Sequence, residues 1–142
     1  MDLDTAVVRA PAAHRAVAAA TNIVVGYFVA RLVLRLTPLS PEVTYGGCLA
    51  LATLLAFRAW QSRIELTSAA AKVHNLLAST TVRRADLHRV REDGRIEWHA
   101  GAARPARLSA EALRCPWWAF GHVTHDYALN RERVRRWHRV AR

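Results

Sequence analysis

Two uncharged apolar stretches, residues 16–30 and 43–57, stand one after the other near the start of the chain, and short alternating runs broken by turn residues follow them. Each stretch is 15 residues long, short of the roughly 18 to 20 that a membrane-spanning helix needs. Both extend if flanking groups snorkel. The first continues through Leu32, Val33, Leu34 and Leu36 past Arg31 and Arg35, and the second runs from Leu39 to Trp60. Arg31 and Arg35 share a helical face near one end, and Tyr27, Tyr45 and Trp60 are candidate interfacial aromatics. The connection Thr37-Pro38-Leu39-Ser40-Pro41-Glu42 stops one helix and starts the next. Gly46 and Gly47 would let the helices approach closely, without a small-xxx-small pattern strong enough to predict a dimer. The pattern favours a membrane hairpin over a soluble helical one.

From Arg63 the period changes to that of strands. Arg63-Ile64-Glu65-Leu66-Thr67, Lys72-Val73-His74-Asn75-Leu76-Leu77 and Thr80-Thr81-Val82-Arg83-Arg84 predict a three-stranded meander. Asp93-Gly94 suits a two-residue type I′ turn, which sets Glu92 opposite Arg95, Arg91 opposite Ile96 and Arg89 opposite Trp98. Leu87, Ile96 and Trp98 then face inward. Residues 108–114 fit a short helix or a loop ended by Pro116, and Trp117, Trp118 and Phe120 fit core strand positions better than an exposed membrane-dipping or partner-binding patch. A helix from about Arg131, N-capped by Asn130, closes the chain. Val134, Trp137, Val140 and Ala141 form its apolar stripe, with Arg131, Arg135, Arg139 and Arg142 on the other side.

The charge divides the chain where the pattern does. Residues 1–57 carry four Arg against three acids, and residues 58–142 carry seventeen Lys and Arg against eight acids. Twenty of the 21 basic residues are Arg, Lys72 being the exception; a GC-rich genome explains this bias, and guanidinium also suits bidentate phosphate contacts. The acidic start Met1-Asp2-Leu3-Asp4 is unlike a secretory signal, so the first apolar run is expected to be a retained anchor. Cys48 and Cys115 lie in different units, which disfavours a structural disulfide. His122, His125, Asp126 and Cys115 form the one histidine cluster with usable spacing, too loose a pattern for a zinc site, so neither metal nor cofactor is expected. Nucleophile elbow, phosphate loop, paired carboxylates and HExxH are all missing from the sequence, and a non-enzyme is expected.

The order of two spans, Arg63-Ile64-Glu65-Leu66-Thr67, Val73-His74-Asn75-Leu76-Leu77 and the basic run from Thr81 to Val90 resembles the small membrane-anchored bacterial PH-like domain proteins. Residues 63–98 carry the resemblance. Ser68-Ala69-Ala70-Ala71 stands where that family commonly has a turn glycine, and Ala85 where it commonly has an aromatic. The resemblance implies a seven-stranded, strongly bent sheet closed at one end by a C-terminal helix, with a non-enzymatic role at the membrane.

The expected architecture is therefore α+β: a two-helix transmembrane hairpin in residues 1–60, then a small PH-like β domain, a bent sheet or partial barrel with a closing helix, in residues 61–142. Arg9, Arg15, Arg58 and Arg63 flank the hairpin against Arg31 and Arg35 toward its turn, which places both termini in the cytoplasm. The expected function is a membrane-anchored interaction or scaffold module. Arg58, Arg63, Arg83, Arg84, Arg135, Arg136 and Arg139 are its candidate contacts to anionic headgroups or an unnamed protein partner. The less favoured alternative is a tethered nucleic-acid-binding domain, for which charge speaks but no motif does.

Overall fold

The computed structural model describes residues 6–99, 101 and 105–140. The acidic start, Ala141 and Arg142 lie outside the described residues. The chain forms two compact units. One is a helical hairpin, Ala12–Gln61, and the other, a β unit, combines the segment before the hairpin with Ser62 onward.

In the hairpin, α1 runs over Ala12–Leu36 and α2 over Pro41–Trp60. At 1.5 Å per residue they are about 37 and 30 Å long, so regular helix continues well past the uncharged stretches. Ser40 caps α2 by accepting a hydrogen bond from the Val43 N–H, with Pro41 at the first helical position, where no intrahelical donor is lost. Both helices are long and apolar enough to cross a membrane. Their contact is made by small residues. A Cβ on Gly26 would lie 2.4 Å from the Ala52 Cβ, and Ala30, Thr44 and Ala52 are likewise buried in the hairpin. Gly46 and Gly47 face open space instead. The close-approach glycine is thus on α1, where its apolar neighbours mask it in a composition reading.

The β unit opens with β1, Ala6–Arg9, which the sequence grouped with the hairpin. It pairs antiparallel with β2, Arg63–Leu66, placing Ala6 opposite Leu66 and Arg9 opposite Arg63. The hairpin is therefore an insertion between two neighbouring strands. Strands β3 (Ala70–His74) and β4 (Ser79–Arg83) complete a sheet of order β1-β2-β3-β4, as the predicted meander requires. A short 3₁₀ turn, Arg84–Asp86, leads to a second antiparallel sheet of β5 (Leu87–Val90), β6 (Arg95–Trp98) and β7 (Ala106–Ser109). Among the described residues there are seven strands in sheets of four and three, and these do not join into a closed barrel.

Four local expectations change. The β5–β6 register is shifted by one residue: Arg89 faces Glu97 and Val90 faces Ile96. Gly94 alone takes positive φ, at 79°, while Asp93 does not, so the turn lacks the two positive-φ residues of type I′ and is longer. A side chain at Gly94 would also meet the Arg114 backbone at 2.6 Å. Of residues 108–114, expected as a short helix or a loop, Leu108 and Ser109 end a strand and 110–114 form a turn-rich loop. The last helix, α3, spans His122–Arg139 and begins behind Gly121. Asn130 sits inside it, buried, donating from its side-chain amide to the carbonyls of Arg9 at 2.8 Å and Ala112 at 3.1 Å. A residue that reads as a cap is thus a polar bolt between β1, α3 and the segment after β7.

One apolar core fills the space between the sheets. Val8, Ile64, Leu66, Val73 and Val82 come from the first sheet, Leu87, Val90 and Ile96 from the second, and Val134 and Trp137 from α3. Trp98 packs against its edge. The buried positions of α3, Val123, Tyr127, Asn130, Val134 and Trp137, recur three and four residues apart, which identifies its inward stripe. Val140 lies off it and is exposed.

Candidate functional site

The antiparallel registers give the β unit two distinguishable ends. Arg9, Arg63 and His74 form the row at the hairpin end, from which the chain leaves for α1 and to which it returns from α2. Thr67, Ala70 and Arg83 mark the opposite end.

The candidate arginines divide between these ends. Arg63 is at the hairpin end, its Nε 2.7 Å from Glu65, whose carboxyl it holds below the usual range with help from His74. Arg83 is exposed at the opposite end. Arg84 is buried and structural: it donates to the carbonyls of Ser68, at 3.3 Å, and Trp137, and its guanidinium lies 4.8 Å from the Trp137 ring centroid. It is therefore not an exposed cation: the side chain is buried and both of its Nη groups are held by backbone carbonyls. Arg135 donates to the Val90 carbonyl and to Glu92, lowering the Glu92 carboxyl, so it ties α3 to the second sheet. Arg136 is exposed, and Arg139 pairs with Glu132. Arg58 lies in the hairpin unit, near the end of α2. Within the β unit, Arg63 and Arg83 stand at opposite ends of the first sheet, so the chosen arginines do not form one patch.

A denser basic cluster lies on the second sheet and is absent from that set. Glu97 is 2% exposed and receives Arg89 Nε at 2.5 Å, Arg91 Nη1 at 3.1 Å and Arg107 Nε at 3.1 Å. The hydrogen bond from Arg89, reinforced by Arg91 and Arg107, pulls its carboxyl from 4.5 down to about 2 against the opposing effect of burial. Three guanidinium groups around one carboxylate leave this face cationic. The signal in the sequence is the alternation in Arg95-Ile96-Glu97-Trp98, which turns Glu97 to the face opposite Ile96. Because the pKa is depressed on folding, the Glu97 contribution to stability is complete above pH 4.5 and lost as pH falls toward about 2. Glu97→Gln is expected to lower the melting temperature at neutral pH and to flatten its fall between pH 4.5 and 2, as a melting series of parent and variant would show.

The hairpin end is organised by Glu111. Its carboxylate accepts from the Ser62 hydroxyl at 3.0 Å and the Leu76 N–H at 3.1 Å, while Asn75 Oδ1 accepts from the Glu111 N–H. These bonds fix the segment after β7 beside the β3–β4 turn. Leu77, at the tip of that turn, is 81% exposed. Trp117 and Phe120 are 95% and 82% exposed, and Trp118 is half-buried. The aromatic cluster is therefore neither in a strand nor in the core. Pro116 and Gly121 bracket it in a turn-rich loop, where hydrophobicity alone reads as burial.

Among the described residues, no three His, Cys, Asp or Glu side chains converge as a metal site would need. Buried Tyr127 has its phenol pKa raised by desolvation, with nearby Cys115 and Glu111 adding to the shift. Compared with known protein families, characterised proteins and solved structures, the chain matches none.

Proposed function

We propose that this chain is a membrane-anchored, non-catalytic interaction module of PH-like type, with its basic β domain facing the cytoplasmic leaflet. The observation that carries this reading is the inserted hairpin, which leaves Val24, Phe28, Leu32, Leu51, Leu54 and Phe57 exposed. Two such faces on one hairpin would be costly in water and suit lipid. Polar side chains within it are satisfied locally, Asn22 by the Ala18 carbonyl and Thr53 by the Leu49 carbonyl. At one end Arg15 lies 4.7 Å from the Trp60 ring centroid, and toward the other Tyr27 stacks on Tyr45 while Arg31 reaches the Tyr27 hydroxyl. Such aromatic and cationic pairs suit the two interfaces of a bilayer.

The PH-like part of the reading is supported by seven short strands in sheets of four and three, with a C-terminal helix whose stripe enters the core. It departs from the resembled order in one respect, since β1 precedes the spans. Orientation is supported by Arg9, Arg15, Arg58 and Arg63 around the hairpin ends against Arg31 and Arg35 near its turn. Exposed Arg83 and Arg136, at the end away from the hairpin, and the cationic face around Glu97 supply surfaces for an acidic protein partner. A reporter fused after Arg142 is expected to be active in its cytoplasmic form and silent in its external form. The reverse pattern would invert the topology.

A further inference from the structure

We propose that Leu77, Trp117 and Phe120 form a second membrane contact, dipping into the boundary between headgroups and acyl chains of the bilayer that holds the hairpin. This rests on the reading of α1 and α2 as membrane spans.

The three side chains come from two segments that the fold brings to the hairpin end of the β unit. Leu77 is three residues past His74, which pairs with Arg63 in the end row. The loop carrying Trp117 and Phe120 follows residues held at the same end by the Glu111 bonds to Ser62 and Leu76. The direction of α3 gives an independent placement. Trp137 Nε1 donates to the Thr67 carbonyl at the opposite end, and Asn130 donates to the Arg9 carbonyl at the hairpin end. Continuing eight residues from Asn130 to His122 carries the helix about 12 Å further in the same direction. The aromatic loop lies at that terminus, bound to it by the Thr124 hydroxyl on the Ala119 carbonyl at 3.1 Å.

The occupant is set by covalent reach and by chemistry. Two residues lie between Arg9 and Ala12 and two between Trp60 and Arg63, so each link spans three Cα–Cα steps, a reach of about 10 Å on each side. A bilayer entered by α1 and α2 must therefore lie next to the hairpin end. Trp suits the interfacial layer, and an adjacent Phe and Leu suit the first acyl segments. Arg114 and His122, both exposed, flank the aromatics with groups suited to headgroups, while the charge of Glu111 is turned inward to Ser62 and Leu76.

The test is tryptophan quenching in full-length protein reconstituted into anionic vesicles, with or without lipid brominated near the headgroup end of its acyl chains. Trp117→Phe replaces an almost fully exposed side chain and leaves the core intact. The parent is expected to lose a brominated-lipid-quenched component that the variant lacks. Equal fractional quenching of the two, with both retained in the membrane after alkaline carbonate, overturns the contact and leaves the anchor standing. Release of both by carbonate overturns the anchor and the contact together.

Discussion

Trp137→Ala is expected to unfold the β unit. The indole is 8% exposed in the core between the sheets, and its Nε1 donates to the Thr67 carbonyl at 2.8 Å. Removing a buried Trp costs about 3 to 5 kcal/mol through lost transfer energy and the cavity left behind. Here the loss spreads to polar groups. The Thr67 carbonyl loses its donor, and buried Arg84 loses the ring on which its guanidinium lies. Against a total of about 5 to 15 kcal/mol for a domain, that is a large share, and the transition should fall by tens of degrees or vanish. Trp137→Phe, which keeps a ring under Arg84 but not the N–H, should fall between. Arg139→Ala, at the exposed side of the same helix, should melt close to the parent. A thermal series in detergent distinguishes these outcomes, and a Trp137→Ala protein that melts like the parent would show that α3 does not close the core.

What the sequence disclosed follows from the range of the forces involved. The hairpin is written in uninterrupted local hydrophobicity and in the Ser40-Pro41 start signal, so its helices could be read directly. The same holds for β2 to β4, where alternation and short turns act over a few residues. Strand β1 was hidden because its four residues carry little signal, and their partner in β2 lies beyond the whole hairpin. Asn130 reads as a cap in the sequence because capping and internal bridging both use its short amide; only the positions of Arg9 and Ala112 decide between them. The β5–β6 register turned on one backbone angle, since Gly94 takes positive φ and Asp93 does not.

The candidate surface was less legible than the fold. Counting arginines finds Arg84 and Arg135 as readily as Arg83, yet two of these are spent on carbonyls or Glu92. Hydrophobicity likewise assigns Trp117 and Phe120 to the core, although their loop leaves them outside it. Exposure depends on where each segment is carried by contacts distant in sequence, which composition does not encode.

Because Arg9 and Arg63 are directly opposed, residues 12–61 are topologically dispensable to the β unit. Replacing them with a short turn of Asn and Gly between Pro11 and Ser62 would convert the insertion into an ordinary hairpin connection. Shortening a 50-residue excursion to a few residues removes loop-closure entropy worth about 2 kcal/mol. The excised protein should therefore fold, melt cooperatively and remain in solution without detergent. The decisive measurement compares it with the full chain in alkaline carbonate extraction of membranes. The account predicts that the full chain stays in the membrane pellet while the excised chain is recovered in the soluble fraction. Release of the full chain into the supernatant would contradict the membrane hairpin.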